Sequence, residues 1–236
     1  MEEDFIYWRH HTPVGIKVEE ISGGGRYADS KTHRALALQI YCENGRDGYR
    51  EVEHFDNGAP YLDGDPSRIS ITHTPGLLAV ATLPKTPETD LRRFSERTAM
   101  GIDAERRDRR QVLDIRDRFL SEKEKGLAAP DDVEGNIALW TAKEALYKAA
   151  MTPGLDWRED IFIASLPVPM TAEEGPDGKP RFNFTEGKAR VRIDGQWHDM
   201  HLYSYDSDDH RVTLAYSPRA AKFIFIQYLP VKLLTT

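Results

Sequence analysis

Apolar and polar residues alternate along much of this chain in short runs, and a few longer stretches shift to helical spacing. "VGIKVEEI" (14–21), "RISITHT" (68–74) and "LLAVATL" (77–83) predict strands, the last two joined as a hairpin at Pro75-Gly76. "RTAMGIDAE" (97–105) predicts another strand. Farther on, "DIFIASL", "RFNFTE", "KARVRI", "WHDMHLYSY" and "RVTLAYS" are separated by the turn pairs Asp177-Gly178, Glu186-Gly187 and Asp194-Gly195, which predicts a β-meander. Helical spacing is expected in "KTHRALALQIY" (31–41), with Ser30 as its N-cap, and in "RRDRRQVLDIRDRFL" (106–120), with Val112, Ile115 and Phe119 on one face. "SEKE" (121–124) opens a further short helix in the manner of a capping box, and the longest helix spans Val133 to Ala150, ending before "TPG". "PKTPETD" (84–90) is the clearest linker. Helices mixed with mainly antiparallel strands on both sides of it imply an α+β fold with two lobes, 1–97 and 98–236.

Composition narrows the classes. With 236 residues, 39% of them hydrophobic and 30% charged, the chain can bury a core without covalent staples. Its single cysteine, Cys42, leaves no internal disulfide and fits a reducing compartment, so a cytoplasmic protein is expected. The N-terminus lacks a signal-peptide pattern. The most apolar stretch, "AAKFIFIQYLPVKLL", is broken by Lys222, Gln227, Pro230 and Lys232, so no membrane span is expected. A net charge of −7 argues against nucleic acid as a partner. The basic run Arg106 to Arg110, "RRDRR", reads from charge alone as a solvated face.

Candidate chemistry gathers at two places. In "GIDAE", period two puts Asp103 and Glu105 on one face of a strand; the pair alone reads as a solvated edge. In "WTAKEALYKA", Trp140, Lys143, Glu144, Tyr147, Lys148 and Met151 fall within an arc of about 140°, opposite Ala138, Ala142, Ala145 and Ala149. A small-residue face lets a helix lie close to a sheet. The other face is open to two readings, an ordinary Glu144–Lys148 surface pair worth about 0.2–0.5 kcal/mol or the wall of a cleft. Taken together, three carboxylates from two elements are an oxygen donor set suited to Mg²⁺, and nearby lysines suit phosphate. The glycines of "SGGGRYADS" lack the Lys-Ser/Thr ending of a P-loop.

These motifs resemble a known family. "GIDAE", followed about forty residues later by "WTAKEALYK", is similar to the paired signature of 4′-phosphopantetheinyl transferases. "RFLSEKE" resembles the Phe-Ser-x-x-Glu segment between them, and "ISITHTPGLLAVA" the family's Ser-His-Ser strand and turn. "THRALAL" resembles the His-Arg helix of the larger, surfactin-synthetase-activating type; the likeness runs from about Thr32 to Tyr216. The resemblance implies a monomeric pseudo-dimer of two α+β lobes with coenzyme A in the cleft between them. It implies transfer of the phosphopantetheine arm to a serine of an apo acyl or peptidyl carrier protein (holo-acyl-carrier-protein synthase activity), with release of adenosine 3′,5′-bisphosphate.

By the same resemblance, Asp103, Glu105 and Glu144 hold Mg²⁺, with Mn²⁺ as the alternative. Glu144 is the candidate base for the carrier serine and Glu124 its competitor. Lys143 and Lys148 contact phosphates, while Thr72, His73 and Arg34 hold the 3′-phosphate of coenzyme A. Carriers of this class are acidic near the modified serine, so Arg106, Arg107, Arg109 and Arg110 are a docking patch. The sequence departs from the pattern at "NGAP", where Ala59 stands in place of a lysine, at Thr72 and Thr74 in place of serines, and in the added "PETDLRRFSER". Two other readings are a non-catalytic module that binds coenzyme A or a carrier, and a metal-dependent phosphohydrolase.

Overall fold

The computed structural model describes residues 6–7, 15–20, 52–62, 67–75, 77–83, 91–174, 180–220 and 227–228. Along these the elements run β1 (Ile6–Tyr7), β2 (Gly15–Glu20), β3 (Val52–His54), β4 (Pro60–Leu62), β5 (Arg68–Thr74), β6 (Leu77–Leu83), β7 (Met100–Arg106), α1 (Val112–Phe119) and α2 (Val133–Ala150). Then follow β8 (Ile161–Ser165), β9 (Val168–Glu174), β10 (Pro180–Thr185), β11 (Gly187–Ile193), β12 (Gln196–Asp206), β13 (His210–Tyr216) and β14 (Gln227–Tyr228). The mixture of helices with antiparallel sheets is the α+β class the sequence implies.

The largest sheet has the order β7-β13-β12-β11-β8, every neighbour antiparallel. Its two faces follow from period two along each strand. One face, with Ala189, Val191, Leu202 and Ala215, packs under Ala142, Ala145, Leu146 and Ala149 of α2. The other, with Ile102, Ala104, Val212 and Leu214, packs against Leu77, Ala79, Ala81 and Leu83 of β6. The alanine face of α2 allows the close approach, and Gly101 completes it. A β-carbon there would lie 2.2 Å from the Ala145 carbonyl oxygen and 2.5 Å from the Ala149 nitrogen. The glycine of "GIDAE" is therefore required by packing.

A second sheet, β2-β6-β5, brings its outer strand β5 alongside β7, the edge of the large sheet. No backbone ladder joins β5 to β7. Instead the Ile102 N–H donates to the Ser70 hydroxyl at 3.0 Å and the Ala104 N–H to the Thr72 hydroxyl at 3.2 Å. Alternate side chains of one strand thus satisfy the outward amides of the other, which an edge strand otherwise leaves open.

Helix α2 starts at Asp132, whose carboxylate accepts the Gly135 N–H at 3.0 Å, and ends at Met151 in the left-handed region with φ 54°. Asn57 donates to the Met151 carbonyl at 3.0 Å and Arg68 to the Lys148 carbonyl at 3.0 Å, so N-terminal residues satisfy carbonyls left open at the end of α2.

Three sequence expectations change. Arg106 ends β7 and the rest of "RRDRR" is a turn rather than the first part of a helix, since the Arg107 N–H bonds to the Asp209 carbonyl at 2.9 Å and α1 begins at Val112. The helix after "SEKE" is a single 3₁₀ turn, Lys125–Leu127. The meander is interrupted by the β9–β10 hairpin, inserted between β8 and its partner β11. The Asp194-Gly195 turn is as expected, with both φ angles positive at 50° and 77°. The helix expected at 31–41, with Arg34, the glycine loop 23–25 and the linker 84–90 lie outside the described residues.

Candidate active site

Pairing of β7 with β13 fixes which way the acids point. Gly101, Asp103 and Glu105 face the helix side, opposite in sense to Ile102 and Ala104. The last turns of α2 lie over them. Lys148 Nζ donates to Asp103 Oδ1 at 2.7 Å and to the Ile102 carbonyl at 3.1 Å, and the Thr72 hydroxyl donates to the same carboxylate oxygen at 3.0 Å. Glu105 accepts from the Thr74 hydroxyl at 2.9 Å and forms an ion pair with Arg109. Glu144 stands across from both acids in a cavity of about 280 Å³ that Trp140, Lys148 and Arg109 also line.

Buried carboxylates this close raise one another's cost of ionisation. Burial pushes the Glu144 carboxyl up to about 7, with Asp103 and then Glu105 adding repulsion and Lys148 pulling the other way. Asp103 is also shifted upward by burial, opposed by Lys148 and Thr72. Of the helix face predicted as a cleft wall, Trp140, Glu144, Tyr147 and Lys148 are half-buried as expected.

Lys143 and Glu124 do not join this cavity. Both are 0% exposed and form an ion pair at 2.7 Å inside the core. The other donors of Lys143 go to the Trp157 carbonyl at 2.6 Å and the Ile161 carbonyl at 2.5 Å. Glu124 accepts the Ser121 hydroxyl at 2.7 Å, the Ser121 N–H at 2.9 Å and the Ile163 N–H at 2.8 Å. With these groups consumed, Lys143 has no donor left for a phosphate and Glu124 no reach to a carrier serine. The expectation that they contact substrate is corrected to a buried structural pair. Burial holds the Lys143 ammonium below its ordinary range, with Glu124 opposing.

A second cavity, of about 270 Å³, adjoins the first and shares Ile71, His73 and Lys148 with it. The Asn57-Gly58-Ala59-Pro60 turn, Arg68 and Tyr147 form much of its wall, which contains no carboxylate among the described residues. His73 thus lies where the two cavities meet, and Thr72 spends its hydroxyl on Asp103. Arg109 and Arg68 are cleft residues that sequence reasoning did not assign to these places. The i,i+4 spacing of Glu105 and Arg109 was a readable signal for the first.

The acids fit a divalent cation in donor chemistry: all are carboxylates, and the repulsion that Asp103 and Glu105 exert on Glu144 is what such an ion relieves. Among the described residues no three acids, histidines or cysteines are drawn together as a finished metal cage. The Lys148 and Arg109 cations sit on Asp103 and Glu105 instead. Of the four arginines expected to dock a partner, Arg106 pairs with Asp108 at 2.8 Å and Arg107 with Glu134 at 2.9 Å. Arg110 is exposed and has no ion pair among the described residues.

Residues 99–215 match the family model of the 4′-phosphopantetheinyl transferase superfamily. The match spans β7, α1, α2 and nearly all of the large sheet, and so contains Asp103, Glu105, Glu144 and Lys148. It supports a transferase of the phosphopantetheinyl type as the general activity. No curated protein matches the chain.

Proposed function

We propose that the chain transfers the 4′-phosphopantetheine arm of coenzyme A to a serine of an apo acyl or peptidyl carrier protein, in a Mg²⁺-dependent reaction that releases adenosine 3′,5′-bisphosphate. The observation that carries this reading is the convergence of Asp103, Glu105, Glu144 and Lys148 on one cavity. The serine oxygen attacks the phosphorus that bears the pantetheine arm. A P–O bond forms there as the bond from that phosphorus to the bridging pyrophosphate oxygen breaks, and adenosine 3′,5′-bisphosphate leaves with that oxygen.

The serine proton goes to Glu144, which faces the same cavity. Lys148 offers its ammonium to the phosphate oxygens, and His73 sits between the two cavities to hold the substrate across them. Asp103, Glu105 and Glu144 would hold the metal, which when bound offsets the charge of the pyrophosphate. In this reading the carrier approaches over Arg110 and its flanking arginines, and coenzyme A lies between two lobes of one chain.

The test incubates the protein with an apo carrier, coenzyme A and Mg²⁺ and reads the intact mass of the carrier. A gain of one phosphopantetheine arm is expected. No gain with coenzyme A still bound would replace the transferase by a binding module. Cleavage of coenzyme A without carrier would replace it by a hydrolase. For docking, Arg110→Glu is expected to raise the carrier KM and flatten its salt dependence.

A further inference from the structure

The two adjoining cavities differ in charge. The first is walled by three carboxylates, Asp103, Glu105 and Glu144. The second has Arg68, Lys148 and two histidines in its wall and, among the described residues, no acid. Arg68 is the unusual member. It is 3% exposed, and its Nη2 donates to the Lys148 carbonyl at 3.0 Å and the Met100 carbonyl at 3.3 Å. Its Nε and Nη1 are buried with no hydrogen-bond partner. Holding the end of α2 accounts for one nitrogen of the guanidinium and leaves the other two unexplained. Buried donors on a charged group are costly to leave unpaired, and a nearby anion removes that cost. Burial lowers the guanidinium only to about 10, so it is a cation at neutral pH.

Coenzyme A carries two anionic centres, the pyrophosphate where it reacts and the 3′-phosphate on its ribose. With the pyrophosphate beside Glu144 and Lys148, the second anion falls in the adjoining cavity, whose described wall carries Arg68 and Lys148. We infer that Arg68 binds the 3′-phosphate of coenzyme A from the wall of this cavity, in a chain whose nearby turn presents Ala59 where the family resemblance leads one to expect lysine. This rests on the coenzyme A reading above. It assigns the nucleotide end to a residue of β5 that belongs to none of the motifs.

The test measures affinity of the full chain for coenzyme A and for 3′-dephospho-coenzyme A by calorimetry with Mg²⁺, for wild type, Arg68→Gln and Arg68→Lys, with a thermal melt of each. Wild type is expected to favour coenzyme A by about tenfold or more, the worth of one charge-assisted contact. Arg68→Gln is expected to bring the two affinities within about twofold by weakening coenzyme A alone. Full discrimination in Arg68→Gln, or equal weakening of both ligands, overturns the inference and leaves the coenzyme A reading standing. Should the melt show Arg68→Gln unfolded, Arg68→Lys decides. It keeps the charge and loses the fixed fork, so a loss of discrimination of about threefold or more supports the inference and unchanged discrimination overturns it. A wild type that binds neither ligand overturns the coenzyme A reading and the role of Arg68 with it.

Discussion

Lys148, in the last turn of α2, donates to Asp103 of β7 at 2.7 Å, joining by one contact the two motifs that stand about forty residues apart in the sequence. The contact is only partly buried on the lysine side, and Lys148 keeps a place in the wall of the cavity.

Removing the acids should therefore abolish transfer and spare the fold. Asp103→Ala and Glu144→Gln are each expected to lower kcat by about three orders of magnitude or more, a loss on the scale of deleting a general base or a key electrostatic group. Near-normal turnover in either variant, with a native circular dichroism spectrum, would remove the assigned roles.

The opposite is expected at the buried pair. Lys143→Met leaves Glu124 charged in the core and should cost about 3–5 kcal/mol by denaturant unfolding, and adding Glu124→Gln should recover part of it. Turnover per folded molecule should stay within a few-fold of wild type. A folded Lys143→Met protein with turnover reduced about a hundredfold or more would return this lysine to the reaction.

Glu144 links stability to pH. Its carboxyl ionises near 4.5 when unfolded and near 7 when folded, so between those values the folded chain holds a proton the unfolded chain lacks. Its stabilising contribution is complete below 4.5 and is lost as pH rises through 7. Glu144→Gln should therefore be more stable than wild type at pH 8, by on the order of 1–3 kcal/mol, with the advantage vanishing toward pH 4. Equal melting temperatures of the two proteins at pH 8, without divalent metal, would contradict this. Added Mg²⁺ should raise the wild-type melting temperature and leave the variant less affected.

Gly101→Ala should fail for a steric reason. Its β-carbon would sit 2.2 Å from the Ala145 carbonyl oxygen, which is backbone and cannot rotate away, so α2 must move off the sheet. A loss of about 3 kcal/mol or more is expected, together with most of the activity, because Glu144 and Lys148 move with the helix. Normal stability in this variant would show that the helix has slack that the packing denies.

The parts of the site readable in the sequence are those that periodicity controls. Period two placed Asp103 and Glu105 together, and the alanine face fixed which side of α2 met the sheet. Lys143 shows the limit. At the margin of the helix arc a residue turns inward or outward according to what lies beside it, and here the Trp157 and Ile161 carbonyls and Glu124 come from other segments. The spacing of "SEKE" suits the contact of Ser121 with Glu124, but the second oxygen of Glu124 belongs to the core. Strand β9 was hidden because Val168 is 57% exposed and Pro169 interrupts its pattern. Nothing local to Arg68 in the sequence reveals that two of its nitrogens end without partners.

The hydroxyls of Ser70 and Thr72 also decide what can be cut from what. The family match begins at residue 99, so a fragment trimmed to it would hold every acid of the first cavity. It would also hold the outward amides of Ile102 and Ala104 with their partners removed. An uncovered strand edge recruits other strands, so such a fragment is expected to aggregate rather than act as a small autonomous enzyme. The strand that carries Ser70 and Thr72, outside the matched region, is in this sense the cover of the matched region's edge.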